Sequence, residues 1–124
     1  MVRVCLDIDI LLDFLMGDEK AEEKLSIYLN RKDAELCVAS TTLSELYVAV
    51  RNPSIVDELA DHVVILPITE EVAQKVRDVF DYMDEYEKVK MSHVYVASAC
   101  LAHEAVLLTK NRQRYSNIPG LKVL

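Results

Sequence analysis

The sequence predicts an α/β fold, a three-layer sandwich in which helices cover both faces of a central, mostly parallel sheet of four to five strands. Two observations predict it. Short apolar runs rich in β-branched residues alternate along the chain with longer segments whose apolar residues recur at helical spacing, as in strands joined by crossover helices. Polar residues able to carry chemistry follow those runs directly, at the strand ends where parallel sheets bind ligands. The 124 residues suit one domain spanning 1–124, a length that buries about two thirds of the surface exposed by the unfolded chain.

Val2 to Leu6 is short, apolar and followed by an acid, as a buried parallel strand is. Asp9 suits the cap of a short helix through about Met16, which Gly17 stops. From Lys20 to Arg31 the residues Leu25, Ile27, Tyr28 and Leu29 are interspersed with charges in a helical pattern, and Leu36 to Ala39 reads as a second strand. Ser40 to Thr42 opens a helix in which Leu43, Leu46, Tyr47 and Val50 share one face. Asn52 before Pro53 predicts a capped helix to about Ala60. Val63 to Ile68 reads as a third strand. Thr69 then caps a long helix, striped by Val72, Val76, Val79, Phe80 and Met83, that ends near Tyr86. Ser92 or His93 caps a further helix to about Glu104, whose Ala97, Ser98 and Ala99 permit close packing. Val106 to Thr109 reads as a fourth strand, and after the turn at Pro119 and Gly120, Leu121 to Leu124 can add a fifth at the edge.

Composition excludes several classes. With 52% apolar and 28% charged residues, neither disorder nor a fibrous structure fits. The longest apolar stretches, such as Val63 to Ile68, fall far short of the roughly 20 residues that cross a bilayer. Asp7, Asp9 and Asp13 interrupt any signal-peptide core, so secretion is not expected. Cys5, Cys37 and Cys100 are odd in number, far apart and flanked by apolar residues, which predicts buried reduced thiols and a cytoplasmic setting. The net charge of −7 is uneven, because residues 105–124 hold Lys110, Arg112, Arg114 and Lys122 and no acid. The acidic remainder argues against strong non-specific duplex binding, while the basic tail can guide a phosphate.

Asp7 stands directly after an apolar strand, where a carboxylate is costly unless a cation or several donors compensate it. A divalent metal or a turn of backbone amides would each do so. Asp9 is open to the same two readings, ligand or helix cap. Glu45 points away from the apolar face of its helix, yet Thr42 and Glu45 also fit the S/T-x-x-E capping box. Lys110, Arg112 and Arg114 read either as a solvated turn or as phosphate contacts that recognise no base. His62 and His103 read as ordinary surface or boundary residues.

Four segments occur in order: LDIDILLDFL, TTLSELYVAV, SHVYVASACLAHE and VLLTKN, the last followed by Tyr115 and IPGLKVL. Together they resemble the PIN-domain family over nearly the whole chain, and within it the VapC-type toxins of toxin–antitoxin pairs. The resemblance implies an endoribonuclease dependent on Mg2+ or Mn2+. It implies that Asp7 ends the first strand as a metal ligand, with Asp9 two positions on and Glu45 on the third helix. Thr109 would orient the site, and Asn111 would face the metal or its water. It further implies a homodimer held inactive by a small antitoxin.

One position departs from the family pattern, since His93 stands where an aspartate is usual, sixteen residues before Thr109. Imidazole suits manganese or zinc better than magnesium and removes one negative charge from the cage, which Asp9 would restore. His93 reads equally as a catalytic or metal-facing residue and as a cap-region histidine on a solvated helix end. Its presence motivates an alternative reading, a degenerate PIN-like module that binds RNA or protein without catalysis. Two other classes fit less well. VCLDIDIL matches the start of haloacid-dehalogenase-like phosphatases, but too little chain follows Thr109 for their later motifs. A receiver domain needs an aspartate at the end of a central strand, and neither Leu36 to Ala39 nor Val63 to Leu66 has one.

Overall fold

The structure, a computed structural model, describes residues 1–124. Four strands, β1 (Val2–Leu6), β2 (Ala34–Ala39), β3 (Val64–Leu66) and β4 (Ala105–Leu108), form a parallel sheet in the order β3-β2-β1-β4. Seven α-helices join and cover them: α1 (Ile8–Leu15), α2 (Glu19–Leu29), α3 (Ser40–Ala49), α4 (Pro53–Asp61), α5 (Glu70–Val79), α6 (Glu85–Lys90) and α7 (Ser92–Ala102). The chain steps outward from β1 through β2 to β3, then returns to set β4 on the free side of β1. That reversal opens a crevice beyond the carboxyl ends of β1 and β4, where ligands of parallel sheets bind. No helix is long and apolar enough to cross a membrane.

Strand pleating divides the apolar residues between two cores. Val4, Leu6, Leu36, Val38 and Leu108 face Ile10, Leu11, Leu25, Leu46 and Val56 on one side. Cys5, Cys37, Ala39, Ala105 and Leu107 face α5 and α7 on the other. The strand residues on the second face are mostly small, and they meet Ala97, Ala99 and Cys100, so α7 packs close enough to bury seven of its eleven residues. All three thiols are free and buried, and burial pushes Cys37 up to about 12, which leaves it an unreactive core residue.

Several boundaries follow chemistry that periodicity does not reveal. Asp7, not Asp9, caps α1: its Oδ1 accepts from Ile8 N, so β1 passes into the helix without a loop. The capping box at Thr42 and Glu45 is absent, because α3 starts at Ser40 with Ala39 as its N-cap and no side-chain cap. Thr69 does cap α5 through Val72 N, but the long helix ends at Val79. A 3-10 turn (Phe80–Tyr82) follows, and Asp84 caps a separate α6 by accepting from Glu87 N. Neither Ser92 nor His93 caps α7. Met91, at φ +65°, joins α6 directly to α7. The fifth strand is reduced to one parallel bridge, Leu107 with Val123, after the turn at Gly120 (φ +80°).

Candidate active site

Strand register creates the site. Leu6 pairs with Leu108, so the next residues, Asp7 and Thr109, emerge side by side from the ends of β1 and β4. Asp7 is fully buried. Its backbone N–H donates to Leu108 O (3.0 Å), and its Oδ2 accepts from Thr109 Oγ1 (2.9 Å) and Tyr115 Oη (2.8 Å). Those donors meet the requirement for compensating a buried carboxylate. They also leave Oδ1 with a single partner, Ile8 N (2.9 Å).

Asp9 lies one helical step on and ties down the opposite strand end. Its Oδ2 accepts from Lys110 N and shares with Asp7 the single proton of Thr109 Oγ1, both at 3.1 Å, while Oδ1 accepts from Ile10 N (2.7 Å). Thr109 Oγ1 in turn accepts from Asn111 N (3.1 Å). Asn111 sits on the exposed rim, where its Oδ1 caps the 3-10 turn of Arg112–Tyr115 by accepting from Arg114 N (3.3 Å). Of the basic residues singled out in the sequence, only Arg114 reaches the centre, with Nη1 4.0 Å from Asp7 Oδ2. The Lys110 ammonium turns outward to Asp13, and Arg112 is exposed.

Tyr115 is 1% exposed. Burial, and then the charge of Asp7, push its phenol far above the ordinary tyrosine range, which keeps the proton that Asp7 receives. Tyr115→Phe is expected to cost about 2 kcal/mol, the value of a hydrogen bond to a charged group. Urea denaturation of the two proteins measures it. A difference below a few tenths of a kcal/mol would show the phenol bond to be dispensable.

His93 is not on a solvated helix end. It is 6% exposed, its Nδ1 pairs with Glu87 Oε2, and its Nε2 meets Arg114 Nη1 at 3.1 Å. Glu87, 4% exposed, also forms an ion pair with Arg114 Nε at 3.2 Å. A carboxylate is therefore present beside His93, delivered by α6.

Glu45, partly buried on α3, completes the surroundings. Burial raises its carboxyl above the usual range and Asp7 pushes in the same direction, opposed by Lys90 and, when it is protonated, by His93. No hydrogen bond contributes to that shift. The hydroxyls of Thr41 and Thr42 beside it, and of Ser92 on α7, are buried without partners. Buried orphans of this kind are where ordered water or an ion is expected.

The donor set decides whether a metal fits. No three His, Cys, Asp or Glu side chains converge as a cage, so Asp7, Asp9 and Glu45 do not form a three-carboxylate site. Magnesium does not need one, since it is commonly held by one or two carboxylates, retained waters and substrate phosphates. Asp7 with a free lone pair on Oδ1, and an unpartnered Glu45, fit that description.

The PIN domain family model matches residues 4–121. The chain belongs to the PIN domain family. No curated protein matches it in sequence. Among solved structures, this PIN domain resembles a chain of DNA-bound VapBC from Salmonella typhimurium, at TM-score 0.78 and 18% identity, covering 100% of this chain and 98% of that one. Similar values hold for VapBC-1 from nontypeable Haemophilus influenzae, with TM-score 0.77, 18% identity and coverage of 99% and 97%. VapBC2 from Rickettsia felis, bound to a promoter DNA fragment, gives TM-score 0.76, 18% identity and coverage of 99% and 98%. At such identities the likeness establishes the fold, which is the PIN-like α/β sandwich expected from the sequence.

Two residues of this PIN domain escaped sequence reasoning. Tyr115 was visible only as part of the terminal motif, and nothing marked its hydroxyl as a partner of Asp7. Glu87 stands at the third position after its cap Asp84, a spacing typical of capping boxes. That spacing can reveal α6, but not that the glutamate turns inward.

Proposed function

We propose that this PIN domain is a metal-dependent endoribonuclease, the toxin of a toxin–antitoxin pair, which hydrolyses RNA phosphodiester bonds with Mg2+ or Mn2+. One observation carries the reading. A fully buried aspartate ends β1 at the switch point of the sheet, and its charge adds to the rise that burial gives the carboxyl of Glu45, which makes no hydrogen bond. Such a pair is costly in an empty protein and useful in one that holds a cation.

Asp7 and Glu45 would hold the ion, which when bound supplies a water of lowered pKa and stabilises charge growing on phosphoryl oxygens. Thr109 and Tyr115 fix Asp7 by occupying Oδ2, so that Oδ1 keeps a lone pair beyond its bond from Ile8 N. Asp9 positions Thr109 and the Lys110 backbone. Asn111 braces the turn that carries Arg114, and Lys110 and Arg112 extend positive charge along the rim for the RNA backbone. The similar structures are of VapBC and of a toxin–antitoxin complex from Klebsiella pneumoniae, which supports an antitoxin partner. An open apolar cleft of about 490 Å³ lined by Phe14, Leu25, Leu29, Ile55 and Leu59 suits the apolar face of a partner helix. Exposed Val48 on α3 is compatible with a homodimer.

The direct test is incubation of the purified protein with mixed RNA in Mg2+ and in Mn2+. Cleavage that requires the metal supports the nuclease. Absence of cleavage with either metal favours the degenerate binding module.

A second test needs no activity. At ten times its dissociation constant an ion that binds only the folded state adds about 1.4 kcal/mol, or about 5 °C in Tm for a domain of this size. Because the Glu45 carboxyl lies higher in the fold than in the unfolded chain, its contribution to stability is present below the ordinary carboxylate range. It is lost as pH rises through the raised value. At pH 7 Glu45→Gln is therefore expected to raise the Tm of the metal-free protein and to abolish the metal-induced rise. A lower metal-free Tm in that variant, with the metal response intact, would remove Glu45 from the site.

A further inference from the structure

We infer that Arg114 is the phosphodiester-binding group of this site and that Glu87 and His93 are positioning residues that aim it, an inference that rests on RNA being the substrate. The three side chains close a ring. Arg114 Nε forms an ion pair with Glu87 Oε1 (3.2 Å), Arg114 Nη1 donates to His93 Nε2 (3.1 Å), and His93 Nδ1 pairs with Glu87 Oε2. A guanidinium has donors only, so Nε2 must accept and the imidazole proton must lie on Nδ1, donated to Glu87. Every group in the ring then has a partner, and neither nitrogen of His93 is left to ligate a metal.

The ring holds the guanidinium through Nε and Nη1 and leaves the group partly open to solvent. The Arg114 side chain keeps 21% exposure, while the side chains of Glu87 and His93 keep 5% and 7%. On the open side lies a polar cavity of about 560 Å³ lined by Glu87, Asn111, Arg114 and Asn117, among others. Its volume is within the range of small-ligand sites. On the inner side Nη1 is 4.0 Å from Asp7 Oδ2. The planar cation thus forms a wall shared by the buried aspartate and an open cleft, and its fork geometry matches a phosphate.

Stability alone gives a poor account of this arrangement, because a buried ion pair often holds a fold no better than apolar residues of the same volume. The backbone is also constrained to make it. Met91 takes φ +65°, a conformation unfavourable for an L-residue, and this turn folds α6 back so that Glu87 meets His93 six residues on. An arginine without those two partners would be free to collapse onto Asp7. Held by them, it keeps its direction toward the cleft.

The test measures binding of a labelled single-stranded RNA oligomer to the full chain in EDTA at one fixed salt concentration. Arg114→Ala is expected to weaken binding by about tenfold or more, and Arg114→Lys to recover little of it. His93→Ala is expected to lose most of the same factor, and the double variant to bind no more weakly than Arg114→Ala. Glu87→Gln leaves one acceptor oxygen where the ring uses two, so it is expected to lose part of the same factor, less than His93→Ala. The exposed Arg77→Ala on α5 is the control for simple loss of charge and is expected to change binding less than twofold. Nitrogen NMR should find His93 protonated on Nδ1 alone, a signature that a merely packed histidine need not have. Equal binding by Arg114→Ala and wild type overturns the inference while leaving the nuclease reading standing. Fully additive losses from His93→Ala and Arg114→Ala, or a His93 proton on Nε2, overturn the positioning role. A wild-type protein that binds no RNA overturns both readings.

Discussion

Asp7→Asn is expected to lower metal-dependent RNA cleavage by about a thousandfold, since the ion it helps to hold supplies several kcal/mol of transition-state stabilisation and each 1.4 kcal/mol is a factor of ten. The substitution keeps volume and removes the charge. The fold should survive it. The amide oxygen can accept from Ile8 N while the Thr109 and Tyr115 hydroxyls rotate to face the new NH2 group, so the structural cost is on the order of 1 kcal/mol. Circular dichroism and Tm measured beside the cleavage assay separate loss of chemistry from loss of structure. The metal-induced rise in Tm should vanish in the same variant. A folded Asp7→Asn protein that retained a tenth or more of wild-type activity would place the hydrolysis elsewhere or in a contaminant.

Glu87→Ala is expected to destabilise the protein by about 3 kcal/mol or more, the usual consequence of removing one member of a buried ion pair. The loss has two parts. Arg114 keeps a desolvated charge with Asp7 as its only remaining carboxylate, at 4.0 Å, and His93 loses the acceptor for its Nδ1 proton. For a domain of this length that is a fall in Tm of about 10 °C. Glu87→Gln retains acceptor capacity and should cost markedly less. Thermal and urea unfolding of both variants give the comparison. If Glu87→Ala costs less than about 1 kcal/mol, the network is a surface-like pair and its burial has no energetic weight.

The fold was legible because its signals are local and redundant. Val2 to Leu6 and Leu36 to Ala39 are apolar runs too short for helices, and the stripes at Leu46 and Val72 fall at helical spacing, so strands and helices separate by pattern. Boundaries were less legible wherever one side chain decides them. Asp7 and Asp9 are both acids at the head of α1, and only the hydrogen bond to Ile8 N tells which is the cap. The break after Val79 depends on Asp84 capping a new helix, although the apolar stripe runs on to Met83. In the site, the meeting of Asp7 with Thr109 follows from register, which a single sequence does not specify for parallel strands. The Glu87 ring was the least legible part. Its members come from α6, α7 and the terminal 3-10 turn, and each alone looks like an ordinary surface residue; His93 was singled out only because of a family pattern.

All of this depends on one cation shared by Asp7 and Glu45. Crystals of the protein soaked in Mn2+ and measured at the manganese absorption edge would locate that ion directly. A single strong anomalous peak between the carboxylates of Asp7 and Glu45, with His93 still bonded to Glu87 and Arg114, is the expected result. A peak elsewhere, or none at concentrations that support cleavage, would contradict it.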